Sequence, residues 1–262
     1  MIYQDMRRRF FVDGFEDGSA ILGGEAAHHL GRVLRAEPGQ IYELSDGETV
    51  WLARTENVGR DEVRFSLLER LPVHAAPLKI ILLLAVVKFD RFEWAIEKAT
   101  ELGADEIVPL AAERSEKGLL AAAAKRSQRW ERILAESAQQ ARRLRIPALR
   151  EAAKPRDAFR DVGTQVRLLL SERSGASPMR EMLEPVAAGV RSEETTSVAV
   201  AIGPEGGWTD AEFLAGTSAG FLEAALGVNI LRTETAVCAA LAAVQYAFGA
   251  FRQQDDSGSV SA

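Results

Sequence analysis

The feature that most constrains this fold is an alternation of strand-like and helix-like segments that begins after residue 77. Residues 78–87 form an apolar run that only Lys79 interrupts, which is typical of a parallel strand covered on both faces. Strand and helix patterns then alternate, which predicts an α/β fold with a mostly parallel sheet and helices on both faces. The predicted strands are 78–87, 106–110, 166–170, 198–202 and 222–226, and the predicted helices are 89–102, 121–143, one starting at 209 and one ending at 248.

A smaller unit of different character precedes this sheet. Its short strand patterns are 9–12, 41–45, 49–55 and 62–69. Asp46-Gly47-Glu48 is a hairpin signal, and only 25–35 looks helical. A proline-containing break at 71–77 separates the two units. We therefore expect a β-rich domain, a compact barrel or curled sheet, at 1–74, a main domain at 75–250 and a disordered polar tail at 251–262.

Composition excludes several classes of protein. The single cysteine, Cys238, excludes an internal disulfide framework and a zinc site built from cysteines, and it suits a reducing cytoplasm. His28, His29 and His74 lack the spacing of metal ligands, so we expect no metal. The longest apolar run, 80–87, is far shorter than the roughly 20 residues of a membrane span. We expect a soluble cytoplasmic protein without a membrane partner.

Two glycine-rich stretches follow predicted strands of the parallel sheet. One is Ala-Ile-Gly-Pro-Glu-Gly-Gly at 201–207, and the other is Leu-Gly-Val-Asn-Ile-Leu-Arg-Thr-Glu-Thr-Ala at 226–236. Such loops meet at one edge of an open α/β sheet, where small ligands bind, and glycine lets the backbone approach a ligand closely. Thr209 and Glu212 have capping-box spacing, so the first loop leads into a helix N-terminus. The sequence predicts a nucleotide-like cofactor, but it has no phosphate-loop or dinucleotide-binding motif.

Charge is distributed unevenly along the chain. The formal net charge of the whole chain is −6, yet residues 114–150 contain ten Lys or Arg and only three Glu. Arg7-Arg8-Arg9 forms a second basic cluster. Binding to a phosphate backbone requires local basic surfaces of this kind. A solvated helical face is the alternative interpretation of the longer segment.

The last predicted helix is apolar on all sides. Nearly every residue from 236 to 248 is alanine or a larger apolar residue. A helix with this pattern is buried all round. A terminal helix of a small domain rarely achieves such burial within one chain, so we expect a homodimer with two-fold symmetry.

These motifs together resemble a known family. Ile-Gly-Pro-Glu-Gly-Gly at 202–207 and Leu-Gly-x-x-Ile-Leu-Arg-Thr-Glu-Thr-Ala at 226–236 are similar to motifs of the RsmE-type family. Its members are bacterial 16S ribosomal RNA methyltransferases of the SPOUT class that act on uridine N3. Residues 88–103 resemble the family's first strand–helix unit, and 7–12 and 29–35 resemble its PUA-like RNA-binding module.

The resemblance implies a trefoil knot in the main domain and S-adenosylmethionine as the cofactor, held mainly by backbone groups of three loops. It also implies that the substrate is 16S ribosomal RNA within the assembled small subunit. The residues that it assigns to the cofactor are Leu170, Ser171, Glu172, Ile202, Gly203, Pro204, Glu205, Gly206, Gly207, Leu226, Gly227, Ile230, Leu231, Thr233, Thr235 and Ala236.

The chemistry of uridine N3 gives three charged residues candidate catalytic roles. The N3 proton must leave and the negative charge on the base must be held, so we expect Arg232 to hydrogen-bond the imide anion or a neighbouring phosphate. Glu205 and Glu234 are candidates to accept the proton or to position Arg232. Bracing of the loops is the structural alternative for both glutamates.

The candidate RNA contacts are arginines, because phosphate contacts position an RNA. They are Arg7, Arg8, Arg9, Arg32 and Arg35 in the small domain and Arg142, Arg143 and Arg145 nearer the main domain. Other functions stay open: ribose 2′-O-methylation by another SPOUT enzyme, and a non-catalytic RNA-binding factor in ribosome assembly. An unrelated nucleotide-dependent oxidoreductase is a third alternative.

Overall fold

The computed structural model of the chain describes residues 8–73, 78–116, 118–189 and 195–248. Arg7, the predicted domain boundary between 74 and 75 and the predicted tail at 251–262 lie outside these residues. None of the described helices is long and apolar enough to cross a membrane.

The first part of the chain forms a five-stranded mixed sheet. Its strands are β1 (Arg9–Phe11), β2 (Ser19–Gly23), β3 (Ile41–Ser45), β4 (Val50–Val58) and β5 (Glu62–Leu71). They lie in the order β1-β3-β4-β5-β2, with β1 parallel to β3 and the other pairs antiparallel. The sequence patterns predicted four of these strands. They missed β2, a short strand that ends in glycine and buries only Ala20 and Leu22.

A short helical segment covers the core of this sheet. The predicted helix at 25–35 is instead an α-helix, α1 (Gly24–His28), followed by a π-helical turn at His29–Val33. Leu30 from that turn is fully buried together with Phe10 and Phe65 of the sheet. The small unit therefore has a hydrophobic core of its own.

The rest of the chain forms a seven-stranded sheet in which every pair is parallel, as predicted. Its strands are β6 (Leu78–Ala85), β7 (Ala104–Leu110), β8 (Ala148–Leu149), β9 (Val166–Leu170), β10 (Ser177–Pro178), β11 (Thr196–Ile202) and β12 (Leu222–Ala225). They lie in the order β10-β12-β9-β11-β6-β7-β8. The trefoil knot stays a prediction, because strand order does not describe how the chain threads its loops.

The apolar run of β6 is explained by its place in this sheet. Side chains at alternate positions of the strand enter two different hydrophobic clusters, one on each face of the sheet. Leu82 and Leu84 lie in one cluster, and Leu83 and Ala85 lie in the other. A strand covered on both faces needs apolar residues along its buried length, and Lys79 near its start is the one exposed residue of β6.

Seven helices connect or cover the strands in the described part of the main unit. They are α2 (Phe89–Glu101), α3 (Leu119–Ala123), α4 (Ser127–Gln140), α5 (Pro155–Asp161), α6 (Met179–Gly189), α7 (Asp210–Ser218) and α8 (Thr233–Phe248). The sequence patterns predicted α2, α7 and α8. They did not predict α5 and α6, which are short or contain an internal proline.

The prediction of one long helix at 121–143 was wrong. A 3-10 turn at Ala124–Arg126 separates α3 from α4, and α4 ends at Gln140. The turn accompanies an ion-pair cluster in which Arg126 and Arg129 both donate to the nearly buried Glu93 of α2, at 2.8 and 2.9 Å. Tertiary contacts of this kind override helix propensity.

Residues 142–145, which follow α4, form a bracket between the two sheets. Ser45 at the end of β3 donates from Oγ to the carbonyl oxygen of Leu144 at 2.8 Å, and Arg145 donates to the carbonyl oxygen of Gly47. Arg143 turns the other way and donates to the carbonyl oxygens of Thr100 and Ala104 and to Asp105. Burial lowers the pKa of the Arg143 guanidinium, and the Asp105 carboxylate opposes that shift. The bracket thereby ties the small unit to the end of α2.

Candidate functional site

Three loops meet at the carboxyl edge of the parallel sheet and line one cavity. The loops follow β9, β11 and β12, which are neighbours in the sheet. The cavity has a volume of about 390 Å³, within the range of roughly 300–1,000 Å³ that is typical of small-molecule sites. The sequence placed the two glycine-rich stretches at one sheet edge, and the structure brings them together there.

Most of the predicted cofactor residues line this cavity. Gly206 and Thr235 are the two that do not, and they lie next to residues that do. Val228 and Asn229, within the predicted loop 226–236, also line it, and six further residues in the wall were absent from the prediction: Arg114, Arg173, Trp208, Asp210, Ala224 and Ala225. The three predicted loops therefore form most of the cavity wall, and flanking residues complete it.

Trp208 connects the loop after β11 to the loop after β9. Its indole Nε1 donates to the carbonyl oxygen of Leu170 at 2.9 Å, and its ring packs beneath Gly203. A Cβ on Gly203 would lie 3.1 Å from the ring, which is closer than ordinary van der Waals contact. Thr233 donates from Oγ1 to the carbonyl oxygen of Gly203 at 3.2 Å and so joins the third loop. The backbone at Gly203 is thus held from two sides.

The start of α7 fixes the other end of the first loop, and the predicted capping box is present. The Glu212 carboxylate accepts from the backbone N–H of Thr209 at 2.9 Å, and Thr209 Oγ1 accepts from the backbone N–H of Glu212. Glu212 also accepts from the backbone N–H of Glu113 at 2.8 Å, which ties α7 to the segment after β7. Gly207, at φ +67°, closes the turn before the helix.

Two arginines that the sequence did not assign to the site hold its loops. Arg114, which follows β7, donates to the carbonyl oxygens of Gly206 and Trp208 at 2.8 and 3.2 Å. Arg91 in the first turn of α2 donates to Glu205 at 2.8 Å. A sequence signal existed for both, since each follows a predicted strand whose carboxyl end lies at this edge of the sheet.

The three candidate catalytic residues lie in different surroundings. Glu205 lines the cavity, whereas Arg232 and Glu234 lie just beyond its wall. Arg232 is exposed and makes no ion pair with residues in the described ranges. Glu234 is mostly buried, and its Oε1 lies 3.9 Å from Nε of Arg91. Both glutamates therefore face Arg91.

The predicted RNA contacts fall into two groups. Arg8, Arg32 and Arg35 are exposed on the small unit. Arg9 instead makes a two-nitrogen contact with Glu43 at 3.0 and 2.8 Å, and Arg142 approaches the same carboxylate at 3.9 Å. Together with the internal bonds of Arg143 and Arg145 in the bracket, these pairs give the second group structural roles. Contact with RNA stays a prediction for all of them.

The donor set suits an organic cofactor better than a metal ion. In the part of the chain that the structure describes, no group of three or more His, Cys, Asp and Glu side chains could hold a metal. The cavity instead has an apolar wall that includes Ile202 and Leu231, and carbonyl and N–H groups of glycine-rich backbone border it. The volume of the cavity, about 390 Å³, is within the range of sites for small organic molecules such as S-adenosylmethionine.

Comparisons with known proteins agree with this geometry. A family model described as an RNA methyltransferase domain matches residues 74–245, and one described as an RNA methyltransferase PUA domain matches residues 22–68. The ribosomal RNA small subunit methyltransferase E of Mycobacterium tuberculosis is 31% identical over 251 residues, which cover 90% of each chain. The Bacillus subtilis protein of the same name is 30% identical over 227 residues, covering 85% of this chain and 88% of that protein.

Solved structures give the same result. A ribosomal RNA small subunit methyltransferase E from Neisseria gonorrhoeae, bound to S-adenosylmethionine, matches with a TM-score of 0.78 and 28% identity. That match covers 93% of this chain and 98% of the other. A methyltransferase from Legionella pneumophila in complex with the same cofactor matches with a TM-score of 0.79 and 31% identity, covering 94% and 99% of the two chains.

Proposed function

Because this chain belongs to the ribosomal RNA small subunit methyltransferase E family and is an S-adenosylmethionine-dependent ribosomal RNA methyltransferase, we propose that it methylates N3 of one uridine in 16S ribosomal RNA. The observation that carries this proposal is the cavity formed by the three loops, with the exposed Arg232 beside it. We further propose that the assembled small subunit in the cytoplasm is the substrate. The proposed main domain spans 75–250, with the small domain at 1–74 and the knot in the main domain.

The cofactor site consists of the sixteen residues that the resemblance assigns. Fourteen of them line the cavity, and Gly206 and Thr235 complete the two glycine-rich loops. S-adenosylmethionine, when bound, supplies an electrophilic methyl group. The task of the protein is to hold that group in line with N3 and to exclude other acceptors.

Arg232 and the two glutamates deal with the proton and the charge. As the N3–H bond breaks, negative charge spreads over the imide, and the exposed guanidinium of Arg232 is available to hydrogen-bond it. Glu205 lines the cavity, and its partly exposed carboxylate pairs with Arg91, which supports a role in receiving the proton directly or through water. Glu234 is already turned toward Arg91, which supports a positioning role.

The exposed face of α8 supports a two-fold homodimer. The helix buries Val237, Leu241 and Val244 against the sheet, but Tyr246 is 82% exposed. Ile230 in the loop before the helix is 80% exposed, so a second large apolar side chain near α8 also lies open to solvent. A symmetric partner would cover this surface. Sedimentation equilibrium distinguishes the dimer from the monomer directly.

A methyl-transfer assay tests the function. Small subunits that lack the modification are incubated with labelled S-adenosylmethionine, and digested RNA is examined by mass spectrometry. We expect N3-methyluridine at one site, and little transfer to protein-free 16S RNA. A 2′-O-methylated nucleoside would establish the other SPOUT reaction. Cofactor binding without transfer would indicate a different RNA substrate, and absence of both would favour the assembly-factor role.

The same assay separates catalysis from cofactor binding. Replacing Arg232 with alanine removes the proposed anion contact but leaves the cavity wall in place. We expect the methylation rate to fall by about 100-fold, in the range of losses for one anion-stabilising donor. Cofactor affinity, measured by calorimetry, should change less than threefold, as for an Arg160→Ala control at an exposed position of α5. Equal losses of rate and affinity would contradict the assignment.

A further inference from the structure

Three charged side chains from three separate elements meet at the edge of the cofactor cavity. Arg91 comes from the first turn of α2, Glu205 from the loop after β11, and Glu234 from the first turn of α8. The Arg91 Nη1 atom lies 2.8 Å from Glu205 Oε1, and its Nε atom lies 3.9 Å from Glu234 Oε1. One guanidinium therefore faces two carboxylates.

The surroundings of this cluster distinguish it from an ordinary surface ion pair. The Arg91 side chain is 30% exposed and that of Glu234 only 15%. The second carboxylate oxygen of Glu234, Oε2, is buried and has no hydrogen-bond partner among the described residues. A buried carboxylate with an incomplete set of partners is costly unless a cation lies nearby. Arg91 is the cation that the structure places beside it.

The two carboxylates belong to the two loops that must be held together around a ligand. Glu205 lines the cavity within the loop Gly203–Gly207, and Glu234 follows Thr233, whose side chain bonds to Gly203. The guanidinium is a planar group whose nitrogens point in different directions, so it can hold both carboxylates at once. An ammonium group is a single point charge and cannot reproduce that geometry.

We propose that Arg91 is a positioning residue, which fixes the spacing of the two glycine-rich loops before S-adenosylmethionine binds. It acts through Glu205 and Glu234 and needs no contact with the reacting atoms. Without it, two like charges would face each other across the loop junction, and their repulsion would move the loops apart. This inference rests on the proposed cofactor loops but does not depend on which nucleotide is methylated.

The test uses the full-length protein and four variants. Arg91→Ala removes the cation, and Arg91→Lys keeps the positive charge without the planar guanidinium. The double variant Arg91→Ala/Glu205→Gln also removes the negative charge of Glu205. Arg160→Ala is the matched control, because it breaks exposed ion pairs with Asp157 and Asp161 in α5. The readouts are the cofactor Kd by calorimetry, hydrogen exchange of the cofactor-free protein, and kcat and KM.

We expect Arg91→Ala to raise the cofactor Kd and KM about tenfold, which corresponds to about 1.4 kcal/mol. Hydrogen exchange should accelerate in peptides that contain 203–207 and 233–237 and stay unchanged in the β3–β5 sheet. Arg91→Lys should lie between wild type and Arg91→Ala. The double variant should recover part of the lost affinity, because it relieves the repulsion. Arg160→Ala should match wild type.

Two results would overturn the proposal. One is a Kd and loop exchange within twofold of wild type in Arg91→Ala. The other is faster exchange throughout the chain, with a lowered Tm and no recovery in the double variant, since that pattern indicates general destabilisation. The cofactor Kd and the hydrogen exchange are measured without RNA. A product other than N3-methyluridine would therefore contradict the proposed function and leave this inference intact.

Discussion

Gly203 shows how the absence of one Cβ atom shapes the cofactor site. The indole ring of Trp208 occupies the space beneath it. The hydrogen bond from that ring to the carbonyl oxygen of Leu170 restrains the ring from moving away from Gly203. A side chain at this position would have to displace either the ring or the backbone that borders the cavity. Packing density in such a region leaves little room for either movement.

We expect Gly203→Ala to weaken cofactor binding by about tenfold, because overpacking costs about 1–3 kcal/mol and each 1.4 kcal/mol is a tenfold change. Gly163→Ala is the matched control, since a Cβ at Gly163 meets nothing within 4 Å. Calorimetric titration with S-adenosylmethionine measures both variants. Equal affinities for the two would show that Trp208 moves aside freely.

At this scale most of the loop residues named from the sequence line the cavity, whereas the arginines that hold the loops were not predicted. Glycine-rich motifs are local, so the segments at 201–207 and 226–236 can be recognised from the sequence alone. Arg91 and Glu205 are 114 residues apart in the chain, and Arg114 and Gly206 are 92 apart. Which arginine reaches which loop depends on helix orientation and strand order, and a single sequence specifies neither directly.

Among the elements, α7 has the clearest local determinants. Its hydrophobic pattern is weak, yet its capping box is complete and its glutamate also holds the segment after β7. The helix thus begins at a residue that the sequence could identify. The broken helix at 119–140 is the opposite case, because its interruption accompanies contacts with Glu93 on another helix.

Thr209→Ala should lower the free energy of unfolding by about 1 kcal/mol, the usual cost of losing a threonine N-cap. Thr217→Ala provides the control at the other end of the same helix, where the exposed hydroxyl bonds only to backbone carbonyls of its own helix. We expect that change to cost less than about 0.5 kcal/mol. Urea unfolding followed by circular dichroism measures both, and equal losses would refute the capping role.

For the whole molecule, net charge says less about RNA binding than the disposition of individual arginines. The basic segment at 114–150 looks uniform in the sequence, but much of its charge is paired. Arg126 and Arg129 share Glu93, Arg132 pairs with Glu25, and Arg150 pairs with Glu106. The exposed Arg8 and Arg32 on the small unit are therefore stronger candidates for phosphate contact than the paired arginines of 114–150.

We expect Arg8→Gln and Arg32→Gln each to reduce the slope of log K against log salt concentration by about one. The control is Arg150→Gln, which removes a charge that Glu106 already balances. Filter binding with 16S RNA at several salt concentrations gives the slopes. A slope unchanged in both test variants, or reduced equally in the control, would contradict the assignment of the RNA-binding surface.

The bracket at residues 142–145 has a consequence for how a target is chosen. Ser45 and Gly47 of the small unit and Asp105 of the main unit are all bonded to it, so the two units hold a set separation. If RNA is anchored on the small unit, as we propose, a fixed distance separates that anchor from the cavity. We then expect the target nucleotide to be selected by its distance from the anchor in a folded RNA, and an unfolded RNA to be a poor substrate.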